Sequence, residues 1–391
     1  MCVNCGMDRR DFLKLTSTLS AGALLGFSAC RKAVAEEPVR IGYLAITDAA
    51  PLLVAHSRGL FKAQGLNAEQ PRLFRSWAQL SEAFLARQVN VVHILMPATL
   101  WIRYASKFPA KVVAWNHTNG SALTVLPEIS SVAGLAGKTV AIPFWYSVHN
   151  VLLQRVLREA GLTVVTKPND AALANNEVNV VVLPPADMIS ALSNKSIAGF
   201  TVAEPFSAVA ENLKIGKVLR FSGDIWRDHA CCVVFMHEDD LRERRQWSQA
   251  VVNSIVSAQA WSRDNRPGVA EILSKDGGKY TPHSREVLDR ALSYYDPAFY
   301  GSSGAIRHAG WPIHRVDFQP YPFPSYTQEL VKFLKETHVE GDTGFLSQLD
   351  PASVANDLVD TSFVTRAIQA AGGAAAFGIS PSLTRSEVIQ I

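Results

Sequence analysis

Cysteine is scarce in this sequence: there are five in 391 residues, at positions 2, 5, 30, 231 and 232. That is too few to staple a chain of this length, so a disulfide framework is excluded. Neither sign of charge dominates. Lys and Arg total 38 against 35 Asp and Glu, a formal net charge of +3, and no concentrated basic face is available for nucleic acid. Long hydrophobic runs are missing as well. The best of them, Leu15 to Ala29, falls short of the roughly 20 residues that cross a bilayer. Internal repeats, a Ser-His-Asp spacing, a glycine-rich phosphate loop and a His/Cys metal signature are all absent from the pattern after residue 35, so no cofactor is expected and an enzyme lacks its nucleophile and base. What remains is 48% apolar and 19% charged, the composition of a folded protein with enough chain for two cores.

The first 35 residues read as an address. Asp8-Arg9-Arg10-Asp11-Phe12-Leu13-Lys14 precedes the apolar stretch, the order of a charged and then a hydrophobic region in an export signal. The arginine pair resembles a twin-arginine signal, which implies a periplasmic location. Two processing points compete: Phe27-Ser28-Ala29-Cys30, which resembles a lipobox and would place a lipid on Cys30, and Ala33-Val34-Ala35, which would release a soluble protein. Cys2 and Cys5 have CxxC spacing but precede the signal, so a metal or redox role is not expected of them.

From Val39 onward short β-branched runs alternate with amphipathic helical stretches, the mark of an α/β architecture with largely parallel sheets. Val39 to Ile46 predicts a strand; Asp48 offers an N-cap to a helix with Pro51 in its first turn and Gly59 at its end. Val89 to Met96 predicts a buried strand. A second alternating series occupies Thr139 to Leu219, including a helix from Val148 to Ala160. After a further strand containing Cys231 and Cys232, helices dominate. Buried thiols are the default there, with a vicinal disulfide as the oxidised alternative. Residues 297–324 predict an ordered loop that buries Trp311, Phe318, Tyr321 and Phe323, and residues 372–391 a loose, flexible tail.

Ile41-Gly42-Tyr43-Leu44 with Asp48-Ala49-Ala50-Pro51, then Gly59-Leu60-Phe61 and Gly65-Leu66, resembles the opening of the solute-binding proteins of nitrate, sulfonate and taurine ABC importers. Ser76-Trp77, Asn116-His117-Thr118-Asn119-Gly120, His149-Asn150, Glu204-Pro205-Phe206 and Trp226-Arg227-Asp228-His229 resemble the nitrate and bicarbonate branch. The resemblance implies a two-lobed periplasmic binding protein fold of type II. Its first lobe would be residues 39–120 plus 230–371 and its second 121–229, with a hinge near Ser121 and Ser222. It also implies a small oxyanion, nitrate-like, carried to a membrane permease by a monomer with no nucleic-acid partner.

Such an anion needs converging donors, and strand-to-helix turns supply them. The resemblance places Trp77, Asn119, Gly120, Ser121, His149, Glu204 and Arg227 at the ligand. Ser121 stands where the family has Gln and Arg227 where it has Lys, so a larger sulfonate or a neutral pyrimidine-type ligand is the alternative. For Glu204, contact with the ligand, a neighbouring cation and a hinge role are all open. An enzyme like the thiamin-pyrimidine synthases, which share the fold, is the remaining alternative, but their longer cysteine cluster is lacking.

Overall fold

The computed structural model describes residues 37–168, 171–308 and 314–391. The expected export signal, Cys30 and Trp311 lie outside these residues. Two separate sheets organise the chain. The first runs, edge to edge, through Arg72–Phe74, Ile41–Leu44, Val91–Leu95, Cys232–His237 and Ala110–Trp115. Ile41–Leu44 is parallel to both of its neighbours, whereas Cys232–His237 is antiparallel to both of its own. The second sheet has the order Lys217–Phe221, Ser121–Val125, Gly199–Ala203, Lys138–Ile142, Glu177–Val182 and Thr163–Val165. This is a two-lobed α/β fold of the type II periplasmic binding kind, with each sheet flanked by helices.

The local reasons are those the sequence advertises. Val91–Leu95 is buried on both faces, as a strand covered by helices on each side must be. Ser147 caps Val148–Glu159 by accepting from Asn150 N at 3.1 Å, and Ser76 caps Trp77–Leu85 through Gln79 N. The long helix Arg245–Asp264 packs against Ala50–Ser57 and Thr361–Ala370. No helix among the described residues is long and apolar enough to cross a membrane.

Two expectations need correction. Asp48 is not an N-cap. The helix Ala50–Ser57 is entered from the single turn Thr47–Ala49 without any side-chain cap, and the carboxylate turns inward. The segment from residue 372 is not loose either. Phe377 is fully buried, Gln390 N donates to Ile225 O and Arg227 N to Val388 O at 2.9 Å each, and the indole of Trp226 donates to Glu387 Oε2 at 2.7 Å. A run of small and polar residues holds its place through backbone pairing and these few side chains, which hydropathy does not register.

Candidate functional site

Five backbone segments meet where the chain passes between the sheets. Thr47 N donates to Glu204 O at 2.9 Å, Glu204 N to Gly120 O at 2.8 Å, Gly120 N to Arg315 O at 2.7 Å, and Asn119 N to His229 O at 2.9 Å. Ser222 Oγ donates to Ser121 O at 2.8 Å, so the two serines expected at the crossings are in contact. This lattice fixes the direction of every side chain around it.

At its centre is a fully buried polar cluster. Asp48 Oδ2 lies 2.8 Å from His117 Nε2, and the backbone N of Cys232 is 3.2 Å from the same nitrogen. The sulfurs of Cys231 and Cys232 are 3.7 Å apart as free thiols. Cys232 Sγ is 3.9 Å from Asp48 Oδ2. His149 Nε2 is 2.9 Å from Ser121 Oγ and 3.6 Å from Cys231 Sγ. Gly120 has to be glycine. Its φ is +81°, and a Cβ there would stand 3.3 Å from both Asp48 Oδ1 and His117 Nδ1. Replacing Gly120 with Ala is therefore expected to cost about 1–3 kcal/mol of stability in chemical denaturation, and to weaken any ligand held by the cluster.

The electrostatics follow from burial without water. Desolvation raises the Asp48 carboxyl to about 6, against the lowering pull of His117. For His117, burial favours the neutral ring, but the adjacent Asp48 overrides it and pushes the imidazole up to about 10. At neutral pH the two form an ion pair. Burial would raise the Cys231 thiol. The hydrogen bond from Cys232 and the charges of His149 and His117 instead hold it well below the usual thiol range, while Cys232 is driven up by burial and by its neighbour. His93 and His229, with no carboxylate partner, are lowered by burial to about 3 and about 4. Around this cluster several buried polar atoms have no hydrogen-bond partner within the protein: Trp77 Nε1, Thr118 Oγ1, Asn119 Oδ1, His149 Nδ1 and His229 Nε2. Buried donors and acceptors are nearly always paired in a folded protein, so this concentration marks a place for something else.

Of the residues expected at a ligand, Trp77 is buried with its ring 5.6 Å from His93, and Gly120, Ser121 and His149 line the cluster. Asn119 turns its amide nitrogen to Asp228 Oδ1 at 3.1 Å. Glu204 is engaged elsewhere: Arg315 Nη1 donates to its Oε1 at 2.5 Å and Ala208 N to its Oε2 at 3.1 Å. Arg227 is placed differently from the others. Its side chain is exposed and its backbone pairs with the C-terminal segment, so it brings no guanidinium to the buried cluster; the neighbouring Trp226 takes the interior position. Sequence reasoning pointed to the turn at Asp48 as a place to meet a ligand but gave its side chain only a capping role, did not single out His117, and treated Cys231 and Cys232 as core. The signal lay in Asp48, His117 and the cysteines being polar or reactive types within runs that are otherwise buried, but their juxtaposition is long-range and left no spacing to read.

A family model described as NMT1-like family matches residues 32–274, well over half of the chain. The chain belongs to the NMT1-like family. Among relatives of this NMT1-like protein, the nitrate/nitrite binding protein NrtA of a Nostoc species is 24% identical over 314 residues, covering 73% of this chain and 68% of that protein. The periplasmic nitrate-binding protein NrtA of Synechocystis has the same fold, with a TM-score of 0.72, 18% identity, and coverage of 90% of this chain and 93% of that one. A ligand-binding component of an ABC-type import system from Staphylococcus aureus, solved with zinc bound, superposes with a TM-score of 0.64 at 23% identity, covering 85% and 99% of the two chains.

Proposed function

We propose that this protein is the solute-binding component of an ABC importer, working in the periplasm and delivering a small ligand from the space between its two sheets to a membrane permease. The observation that carries this reading is the ring of unpartnered, buried polar atoms around Asp48, His117 and His149, at the crossing that a hinge between residues 39–120 plus 230–371 and residues 121–229 would use. The names of the relatives support it: they are binding proteins of nitrate import and an ABC-type ligand-binding component. No covalent chemistry is needed, only a shift between open and closed arrangements. Arg75 pairs with Asp187 at 2.6 Å beside a crevice of about 310 Å³ whose walls include Ile46, Leu73, Pro185 and Phe206, a contact that a closed arrangement would use. Export by the twin-arginine route, with Cys30 lipidated or the chain cut after Ala35, completes the reading.

A nitrate-like oxyanion is the first solute to test, because that is what the named relatives bind. Titration calorimetry of the mature chain with nitrate, nitrite, bicarbonate and short sulfonates, followed by small-angle scattering, checks the reading. A bound solute should make the scattering particle more compact; a solute that binds without compacting it overturns the receptor reading. For the solute that binds, His149→Ala is expected to weaken affinity about tenfold or more through the loss of a buried donor. Arg227→Ala is expected to leave affinity within about twofold.

A further inference from the structure

The buried cluster does not have the chemistry of an anion site. The strongest electrostatic partners of Asp48 are His117, Cys231 and His149, none of them a lysine or arginine, and the cluster itself contributes a carboxylate and two thiols. What these groups share is an electron pair to give. Asp48, His117, Cys231 and Cys232 each present a ligating atom, all four atoms lie within 4.8 Å of one another, and all four residues are buried. Around a tetrahedral ion with metal–sulfur bonds of about 2.3 Å, two sulfurs stand about 3.8 Å apart and a sulfur and an oxygen about 3.5 Å. The observed separations are 3.7 Å between the sulfurs and 3.9 Å from Cys232 Sγ to Asp48 Oδ2. Of these three separations, the hydrogen-bonded pair Asp48 and His117, at 2.8 Å, has to open by about half an ångström to accept a metal between them.

Resting on the reading of this cleft as the solute site, we propose that the solute is a thiophilic divalent cation of the zinc class, held by Asp48, His117, Cys231 and Cys232. Calcium and magnesium are disfavoured by the ligand types, because they take six or more oxygens and this cluster supplies a single carboxylate. Adjacent cysteines usually project to opposite sides of a strand. Here Cys231 lies just outside the strand and Cys232 is its first residue, which lets both sulfurs reach the same side. Ser121 and His149 form the supporting layer: the hydroxyl holds an imidazole whose Nε2 also meets Cys231 Sγ, as partners of a metal ligand do. On binding, His117 gives up the proton it shares with Asp48 and Cys232 gives up its thiol proton, both to solvent, and the freed imidazole nitrogen and the two thiolates take coordination positions beside the carboxylate.

The test uses the full mature chain, freed of metal with a chelator. Zinc is titrated in competition with a chromogenic chelator, and cobalt(II) is added as a spectroscopic stand-in. One zinc per chain is expected, with a cobalt spectrum showing thiolate-to-metal charge transfer and the intense visible bands of a tetrahedral site. Cys231→Ser and Cys232→Ser should each weaken zinc by about 100-fold or more, beyond the loss caused by removing a supporting partner, while Arg227→Ala binds as the parent does. The cobalt spectrum is read on the unaltered protein, so it decides the matter even if a serine variant does not fold. A cobalt spectrum without thiolate charge transfer, or folded serine variants that bind zinc like the parent, overturns the proposal. If nitrate or another anion binds and compacts the protein while zinc does not bind, the cation inference fails and the receptor reading stands. If neither class of solute binds, both fail.

Discussion

Replacing Arg315 with Met is expected to lower the unfolding free energy by about 3–5 kcal/mol, because it leaves a buried carboxylate without its counter-charge. The Arg315 guanidinium is 1% exposed and reaches Glu204 Oε1 at 2.5 Å and Glu211 Oε2 at 2.7 Å. It also donates to the Tyr300 hydroxyl and to Tyr294 O. Burial raises the Glu204 carboxyl, and Arg315 only partly restores it. Glu211 is held below the usual range despite burial, through Arg315, Arg290 and Tyr300. Removing the cation therefore strands Glu204 and Glu211 unequally: Glu211 keeps Arg290 at 3.0 Å, whereas Glu204 keeps only a backbone N–H. Urea denaturation at neutral pH measures the loss. The double variant Glu204→Leu, Arg315→Met should regain at least half of it, since an apolar pair of similar volume carries no desolvation penalty. A loss under about 1 kcal/mol for the single variant would mean that water reaches Glu204 once Arg315 is gone.

The same arginine shows where sequence reading reaches its limit. The elements were legible because they are local. Val91–Leu95, Val148–Glu159, Gly199–Ala203 and Arg245–Asp264 follow from periodicity, Ser caps and β-branched runs, and the α/β class follows from their alternation. Motif resemblance singled out Gly120, Ser121 and His149, which the fold brings to the buried cluster. Arg315 was not legible, because its partners lie 111 and 104 positions away and no pattern near residue 315 announces them. Asp48 was misread for a related reason. An aspartate two residues before a proline-bearing first turn has the signature of an N-cap, and only the fold places His117 2.8 Å from its carboxylate. At Arg227 the motif gives the order of residue types but not their facing: Trp226, bridged to Ile389, is buried and Arg227 is exposed.

Acid is expected to unfold the metal-free protein well before its carboxylates alone would require. His93 and His229 are fully buried and kept neutral, at about 3 and about 4, whereas in the unfolded chain each titrates near 6.5. A histidine lowered by folding costs nothing at pH 8. As the pH falls through about 6.5 the unfolded chain takes up the proton and the folded one does not, so stability is lost from there down toward the folded value. At pH 5 that amounts to about 2 kcal/mol for each ring. Cys231, held low, acts in the same sense, because the unfolded thiol stays protonated where the folded one does not. Asp48 and His117 act in the opposite sense: raised to about 6 and about 10, they bind protons more readily folded than unfolded and together return about 2 kcal/mol over the same interval. The net expectation is a loss of at least about 1.5 kcal/mol between pH 7 and pH 5, measured by urea denaturation in chelator-treated protein. His93→Leu isolates the cause, since neither nitrogen of His93 has a partner. It should reduce the acid loss by about 2 kcal/mol and leave the protein no less stable at pH 7. An unchanged slope in His93→Leu would show that His93 is not the group being charged. A chain that retains two costly neutral imidazoles beside a carboxylate and two thiols gives up stability at this site, and binding a ligand there is the return that offsets the loss.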